Sequence, residues 1–262
     1  MEKRTLWRRS SLPALCLALA VSYGPLANAQ NIQQPVAPND DIEVSDSDPF
    51  ENWNRKVFSF NDGVDRWVLR PVASAYRTVT PEIVDKGVTN FFSNLGEVSN
   101  FANSLLQGKG ESAVVAFGRF TFNTVFGLGG FFDVATSFDL PERNEDFGQT
   151  LGVWGVNSGP YLVLPFLGPS TPRHTTGRLT DGFVLPSAWD EVSTPETYYL
   201  RGLQVVDLRA DLISVESMMS GDRYRFMRNA FLQRREFLVN DGKITDDPFA
   251  NDDDEDLMLD DF

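Results

Sequence analysis

The stretch GVWGVNSGPYLVLPFLGPSTPR, residues 152–173, decides how this chain must fold. Its four prolines lack a backbone donor and suit neither a helix interior nor a central strand: Pro160, Pro165, Pro169 and Pro172. The apolar side chains within 161–167 must nevertheless be kept away from water. We therefore expect that this segment forms no regular β-sheet hydrogen bonds. It is either wrapped by protein or lines a cavity at membrane depth.

Amphipathic helices are predicted on both sides of this stretch. Apolar residues recur at intervals of three and four, the period of an α-helix, in residues 49–72, 81–108, 193–221 and 222–239. Gly108 and Gly221 end two of these patterns. Each apolar stripe is predicted to face the core of a helical domain.

Residues 113–132 have a different pattern, because they are apolar on more than one face and rich in phenylalanine. Arg119 and Asn123 interrupt the region, which argues against a helix that spans a membrane. A buried or interfacial helix followed by a glycine turn fits better. The sequence GLGGF also lacks the third glycine of a dinucleotide-binding loop, because Phe132 stands there.

The N-terminus has the pattern of a secretory signal peptide. Basic residues precede an apolar run at 12–21, and residues 27–29, Ala-Asn-Ala, form a small-x-small cleavage site. The apolar run is too short for a spanning helix. Residues 1–29 are therefore predicted to be removed, and they are excluded from the fold.

Composition excludes several classes of partner and site. The net charge of −14 at pH 7 makes nucleic acid a poor partner and repels anionic lipid head groups on average. Membrane contact must then come from apolar surface, which phenylalanine supplies with 21 residues against 6 tyrosines and 5 tryptophans. The one cysteine lies in the predicted signal peptide, so the mature chain is expected to have no disulfide and no thiolate metal site.

Composition also predicts the domain organisation. Residues 30–48 are rich in Asn, Gln, Pro and Asp, residues 245–262 are rich in Asp, and both lack the apolar area that offsets the entropy of ordering. We predict a disordered linker at 30–48 and a disordered acidic tail at 245–262. Residues 49–244 are predicted to form a single, mostly α-helical domain with irregular Gly/Pro-rich segments.

Residues that could carry catalysis are scarce. His174 is the only histidine, so no two-histidine metal site is possible, and we expect it to be an exposed or capping loop residue. Glu142, Glu145 and Asp146 flank Arg143, which favours a solvated polar loop over paired acid–base chemistry. The nucleophile motif GxSxG does not occur. We predict no catalytic, cofactor or metal site.

Five blocks of sequence together resemble one known family. They are DPFENWNRKVFSFND (48–62), LRPVASAYR (69–77), RFTFNTVFGLGGFFDVA (119–135), FGQTLGVWGVNSGPYLVLPFLGPSTPR (147–173) and FLQRREFL (231–238). On these blocks the chain is similar to the MlaA/VacJ family of outer-membrane proteins. The resemblance covers residues 48–240, and GPYLVLPFLGPSTPR is highly specific.

The resemblance implies both an architecture and a function. It implies a mostly helical ring in the periplasmic leaflet of the outer membrane, around a central amphipathic channel. Mislocalised phospholipid would leave the outer leaflet through this channel, beside a trimeric porin. It would then pass to the periplasmic carrier MlaC and to an ATP-driven, ABC-type Mla complex in the inner membrane. The family often has an acidic residue where this chain has His174.

Candidate residues for the lipid path or its gate come from the first and fourth blocks. A phospholipid path needs an apolar wall for the tails and water or donors for the head group. A Gly/Pro-rich segment that forms no regular β-sheet hydrogen bonds is able to bend around such a path. The candidates are Phe58, Phe60, Asn61, Asn157, Ser158, Tyr161, Leu164 and Phe166.

Two alternative functions remain open from the residues alone. One is a soluble periplasmic lipid carrier, and the other is a secreted hydrolase with a phenylalanine-lined pocket. The hydrolase lacks a recognisable nucleophile and base. Cell fractionation separates both from a ring protein, because a carrier or hydrolase is released with the periplasm while the ring protein sediments with the outer membrane.

The leader gives a testable prediction. Members of the family commonly carry a lipidated cysteine, but Cys16 here follows Leu15 and not a small residue. We expect cleavage before Gln30 and a mature N-terminus without an acyl chain, so that apolar helices alone anchor the protein. Intact-mass analysis of the mature protein measures both the cleavage site and any attached acyl chain. A diacylated Cys16 would overturn the prediction, and Cys16→Ala would then abolish sorting instead of leaving it unchanged.

Overall fold

The protein is mostly α-helical, as the sequence predicts. The computed structural model describes residues 48–185, 187–191, 194–216 and 221–243. The predicted signal peptide and acidic tail, and nearly all of the predicted linker, lie outside these residues. Among the described helices, none is both long enough and apolar enough to cross a membrane.

Four helices form the first half of the domain: α1 Glu51–Val64, α2 Arg70–Val79, α3 Glu82–Leu106 and α4 Gly110–Val125. A π-helical turn, Asp65–Leu69, joins α1 to α2. Pro71, near the start of α2, has no N–H to donate, and the wider turn before it makes room for its ring. The predicted helix at 49–72 is therefore a continuous helical path with one widened turn.

In the second half, the described residues form four helices and a hairpin: α5 Phe147–Val153, β1 Leu162–Leu164, β2 Gly168–Ser170, α6 Pro172–Phe183, α7 Thr194–Glu216 and α8 Arg223–Val239. Short 3₁₀ turns lie at Ala135–Phe138 and Ala188–Glu191. Side-chain caps fix three helix starts, because Asp146, Thr171 and Asp222 accept hydrogen bonds from backbone N–H groups in the first turns of α5, α6 and α8.

The elements pack in a closed series. α2 packs on α7, α7 on α3, α3 on α5, and α5 on α8. α8 contacts β2, β2 pairs with β1, and β1 packs on α1, which leads back to α2. α4 packs on α3 and α6 packs on α5. Two ion pairs join α7 and α8 to the region where α1 meets the π-helical turn. Arg209 of α7 binds Asp65 at 2.7 Å, and Arg223 of α8 binds Asp62 at 2.8 Å.

The buried face of α3 is polar. Most of its buried side chains are Asn94, Glu97, Asn100, Asn103 and Ser104. Val84 and Leu105, which belong to the stripe predicted to face the core, are exposed. That prediction is wrong for these two residues, because hydrogen-bonding partners lie on the inner side of α3. Within the described part of the chain, Val163 is the only apolar residue among the largest fully buried side chains.

A buried ion pair joins α3 to α4. Arg119 Nε lies 2.6 Å from Glu97 Oε1, and both side chains are almost completely buried. The other guanidinium nitrogens donate to the carbonyl oxygen of Leu140 at 2.6 Å and to the carboxylate of Asp133 at 3.2 Å. Asn100 donates to the second oxygen of Glu97 at 3.0 Å. Both charged groups therefore have an opposite charge and further hydrogen bonds, as buried charges require.

We expect Arg119→Met to destabilise the protein by about 3–5 kcal/mol, because Glu97 stays buried without its counter-charge. This loss corresponds to a fall of roughly 10 °C in the thermal unfolding midpoint, measured by circular dichroism in detergent. Lys86→Met is the control, since its pair with Glu82 at 2.7 Å is exposed and should leave the midpoint unchanged. A wild-type midpoint for Arg119→Met would contradict the prediction.

Candidate functional site

The central Gly/Pro-rich segment contains a short antiparallel hairpin. β1 pairs with β2 in the register Leu162–Ser170, Val163–Pro169 and Leu164–Gly168. The prediction that residues 152–173 form no ladder is therefore wrong, although the ladder is only three pairs long. The prolines limit it, because Pro165 lies in the turn, Pro169 removes a donor from β2, and Pro172 begins α6.

Asn54 of α1 clamps the start of β1. Its Nδ2 donates to the carbonyl oxygen of Tyr161 at 3.0 Å, and its Oδ1 accepts the N–H of Val163 at 2.8 Å. The Asn54 side chain is completely buried. Its amide thus supplies this edge of β1 with the donor and acceptor that a neighbouring strand would otherwise provide. Nδ2 also lies 3.0 Å from Asp48, just before α1.

Asn61, two helical turns after Asn54, clamps the tip of the hairpin in the same way. Its Nδ2 donates to the carbonyl oxygen of Leu164 at 3.0 Å, and its Oδ1 accepts the N–H of Phe166 at 2.8 Å. Phe166 has a φ of 62°, a left-handed conformation that is rare for a bulky residue. The ring of Phe60 packs edge-on against Phe166, with centroids 5.1 Å apart. The clamp and the ring contact together hold the tip in this conformation.

Below the tip, an aromatic core fixes the hairpin to α1 and α8. Val57, Tyr161, Val163 and Tyr224 form one buried cluster. Phe58, half-buried, packs edge-on against Tyr224 at 5.8 Å. Two of the candidate path residues, Phe58 and Tyr161, therefore lie within this cluster.

The remaining candidates lie at the two ends of the segment. Asn157 is exposed, and Ser158 is half-buried and donates to the hydroxyl of Thr171 at 3.2 Å. Phe60, Asn61, Leu164 and Phe166 meet at the hairpin tip. The structure thus brings four of the eight candidates together, and their role as path or gate residues stays a prediction. The sequence analysis missed Asn54, although its spacing of seven residues from Asn61 places both on one face of α1.

Large aromatic side chains lie on the exterior of the protein. Trp67, Phe183 and Tyr199 are 82%, 82% and 79% exposed. Trp53, at 56%, is exposed on the same helical path as Trp67. The prediction that the apolar stripes face the core is wrong for Trp53, Trp67 and Tyr199. Periodicity finds such a stripe, but it does not say which medium the stripe faces.

His174 is buried in the first turn of α6, so the prediction of an exposed residue is wrong. Its backbone N–H is capped by the hydroxyl of Thr171 at 3.2 Å. Burial and, next to it, the charge of the nearby Arg235 guanidinium together lower the pKa of the imidazole to about 4, which leaves His174 neutral at pH 7.

The predicted solvated loop at 142–146 is also partly buried. Glu145 is largely buried and binds Lys109 at 2.9 Å. Asp146 forms a bidentate pair with Arg235 at 2.5 and 2.9 Å. Burial raises the pKa of Asp146, but the bonds to Arg235 outweigh burial and hold it well below the usual range. The prediction of a solvated loop is wrong for these two carboxylates, because the loop packs against α8 and the residues that follow α3.

The fold and site together define a class of protein: a helical domain with many buried polar side chains and many exposed aromatic side chains, in which asparagines clamp a proline-rich hairpin. Comparison with known proteins identifies the family. The model of the MlaA lipoprotein family matches residues 46–238. The chain therefore belongs to the MlaA lipoprotein family.

Individual relatives agree with this assignment. The intermembrane phospholipid transport system lipoprotein MlaA of Haemophilus influenzae is 39% identical over 79% of this chain and 86% of its own. The protein of the same name from Escherichia coli K12 is 38% identical over 76% of this chain and 80% of its own. A solved structure on maintenance of bacterial outer-membrane lipid asymmetry aligns with a TM-score of 0.67 at 35% identity, covering 74% of this chain and all of that one.

We expect the two asparagine clamps to differ in strength. Asn54→Ala leaves two buried backbone groups without partners and should destabilise the protein by about 2–4 kcal/mol. Asn61→Ala acts at the exposed tip and should cost only about 1 kcal/mol. Ser59→Ala on the exposed side of α1 is the control, with no change in the unfolding midpoint. Thermal unfolding in detergent measures all three, and equal midpoints for Asn54→Ala and Ser59→Ala would exclude a clamp at Asn54.

Proposed function

We propose that this protein is the outer-membrane component of an intermembrane phospholipid transport system. It lies at the periplasmic face of the outer membrane and removes mislocalised phospholipids from the outer leaflet through an amphipathic channel, which maintains lipid asymmetry. The names of both relatives state phospholipid transport and not a reaction, and the solved relative concerns outer-membrane lipid asymmetry. Such transport needs no covalent chemistry from the protein.

One observation carries the proposal: many large apolar side chains are exposed although polar side chains occupy much of the interior. Asn, Glu and Arg side chains are buried beside a small apolar core, while several tryptophan and phenylalanine side chains lie outside. Extended apolar surface on a folded protein marks contact with a membrane or partner. Because the chain carries a net charge of −14, attraction to anionic lipid contributes little, and apolar contact has to provide the binding.

The finer architecture belongs to the proposal as well. A ring around a central channel is supported by the closed series of packed elements. The tails of the lipid need an apolar wall, which we assign at the hairpin tip to Phe60, Leu164 and Phe166. Asn61 holds that tip in position. Helices lying in the membrane plane form the rest of the wall.

The proposed partners follow from the family resemblance. A trimeric porin stands beside the ring in the outer membrane. The soluble carrier MlaC takes the lipid across the periplasm, and an ABC-type Mla complex in the inner membrane receives it. Cell fractionation tests the location: the protein should sediment with the outer membrane, and release with the periplasmic fraction would favour a soluble lipid carrier.

The path itself is tested at the hairpin tip. We expect Phe166→Asp to fold, because position 166 is exposed and Asp tolerates a left-handed conformation better than Phe does. A lipid tail would then have to pass an ion whose hydration is costly to remove. Phospholipid in the outer leaflet should therefore rise several-fold in cells that carry this variant as their only copy. Surface labelling of phospholipid gives the measurement.

Phe166→Asn is the matched control, since it removes the same ring and tolerates the same backbone without adding charge. We expect it to leave lipid asymmetry closer to the wild type. Protein abundance in the outer membrane is measured in parallel, so that instability is distinguished from blocked transport. Normal abundance of Phe166→Asp together with normal asymmetry would remove Phe166 from the path.

A further inference from the structure

Three arginines converge where α5, α6 and α8 meet. Arg173 and Arg178 come from α6, and Arg235 comes from α8. All three lie close enough to His174 for their charges to lower its pKa. This junction concentrates positive charge in a chain whose net charge is −14.

The two carboxylates of the junction, Asp146 and Asp181, already have partners. Asp146 binds Arg235 through both oxygens. Asp181 accepts hydrogen bonds from Asn103 at 2.8 Å and from the N–H of Phe147 at 3.0 Å. Within the described ranges, Arg173 has no carboxylate within ion-pair distance. Asp146 acts on Arg173 only from beyond ion-pair distance, so within these ranges no carboxylate directly neutralises the Arg173 guanidinium.

The guanidinium groups lie on a glycine face of α5. A Cβ on Gly152 would stand 3.2 Å from Cζ of Arg173, and a Cβ on Gly148 would stand 3.0 Å from Nη2 of Arg235. The two glycines are one helical turn apart and so share a face. The two arginines therefore pack directly against the backbone of α5, which holds their guanidinium groups in place.

The environment of Arg173 favours an added anion. Burial lowers the pKa of its guanidinium, and the charge of Arg235 lowers it further, while Asp146 opposes both effects. His174 is neutral at pH 7 and adds no charge to the junction. A bound anion would relieve the repulsion between the arginines and replace the hydration that Arg173 has partly lost.

Exposed apolar side chains adjoin this charge. Arg173 donates through Nη1 to the carbonyl oxygen of Val156 at 2.9 Å, and Val153, Trp154 and Val156 are all exposed. The indole N–H of Trp154 donates to the carbonyl oxygen of Leu106 at 3.1 Å, which fixes the ring. A cation that directly adjoins an apolar surface matches a ligand with a phosphate at one end and hydrocarbon at the other.

We propose that Arg173, at the α5–α6–α8 junction, holds the phosphate of a phospholipid head group. The acyl chains extend from there along Val153 and Trp154. This assignment rests on the proposed function, and it adds a head-group subsite to the transport path. The guanidinium fork of Arg173 suits a phosphate better than a lysine would, because it donates two parallel hydrogen bonds.

Lipid retention by the purified full chain tests the subsite. The protein is incubated in detergent with mixed micelles of dioleoylphosphatidylglycerol, dioleoylphosphatidylethanolamine and dioleoylglycerol, and retained lipids are quantified by mass spectrometry after repurification. Dioleoylglycerol has the same tails but no phosphate. We expect Arg173→Gln to retain roughly tenfold less phospholipid, with dioleoylglycerol unchanged. Arg173→Lys should be intermediate, and the exposed Arg225→Gln should behave as the wild type.

The outcomes separate the subsite from the proposed function. Wild-type protein that retains no phospholipid would refute transport itself, whereas equal retention by the wild type and Arg173→Gln would refute only the subsite. Titration with inorganic phosphate, followed by ³¹P NMR, should show no saturable binding, and saturable binding lost in Arg173→Gln would reassign the site to free phosphate.

A second measurement uses the wild-type protein and does not depend on whether Arg173→Gln folds. Phosphatidylethanolamine with a diazirine on its head group is photo-crosslinked to the protein, and the adducts are mapped by mass spectrometry. We expect adducts in peptides that contain residues 172–178. Adducts confined to other peptides would overturn the head-group assignment.

Discussion

A polar interior makes this fold depend on hydrogen-bond partners within the protein, because buried polar groups are not able to rely on water. A surface that carries Trp67 and Phe183 is not one on which backbone N–H and C=O groups are able to rely on water. The hairpin illustrates the consequence, because one edge of β1 has no neighbouring strand and depends on the side-chain amides of Asn54 and Asn61. Two asparagines on one helix face thereby make an irregular, proline-rich segment compatible with burial.

The polar interior also decides how the helices are oriented. α3 carries apolar side chains on its outer face, so apolar packing alone gives little reason for it to present one face inward. The Glu97–Arg119 pair and the row of asparagines on α3 remove this ambiguity, because turning the helix would leave buried partners unsatisfied. Replacing such a pair by apolar side chains is often neutral for stability. We infer that the pair contributes more to the choice of face than to the free energy of unfolding.

Sequence reasoning located most of the long helices but not the medium that their apolar stripes face. Spacing of apolar residues predicts α1, α3, α7 and α8, and a positive φ at Gly108 confirms the predicted end of α3. The predicted end of α7 follows residues 217–220, which lie outside the described ranges, and the short helices α5 and α6 were not predicted. The same spacing assigns Trp67 and Tyr199 to a core, because a hydrophobic stripe has the same period whether it faces protein or lipid. The resemblance to a family of outer-membrane proteins indicates contact with lipid, which the period of a hydrophobic stripe does not.

The wrong or missing predictions for residues of the site have a different cause. A histidine among loop-forming neighbours indicates exposure, but His174 is buried because α5 and α6 cross closely at Gly148 and Gly177. There a Cβ on Gly177 would lie only 2.2 Å from the backbone nitrogen of Gly148. Such a crossing pairs residues 29 positions apart, and no local pattern encodes it. Asn54 was missed for a similar reason, since its partners lie more than 100 residues away.

The central segment has opposite chemical character at its two ends. At its base, Ser158 bonds Thr171, and the N–H of Arg173 donates to the carbonyl oxygen of Ser158 at 3.3 Å beside the arginine junction. At its tip, Asn61 holds the exposed ring of Phe166. From residue 158 to residue 166 the chain spans at most about 25 Å, and the hydrocarbon of one leaflet is about 15 Å thick. The cationic base and the apolar tip of this loop thus lie within a distance of the order of one leaflet's thickness.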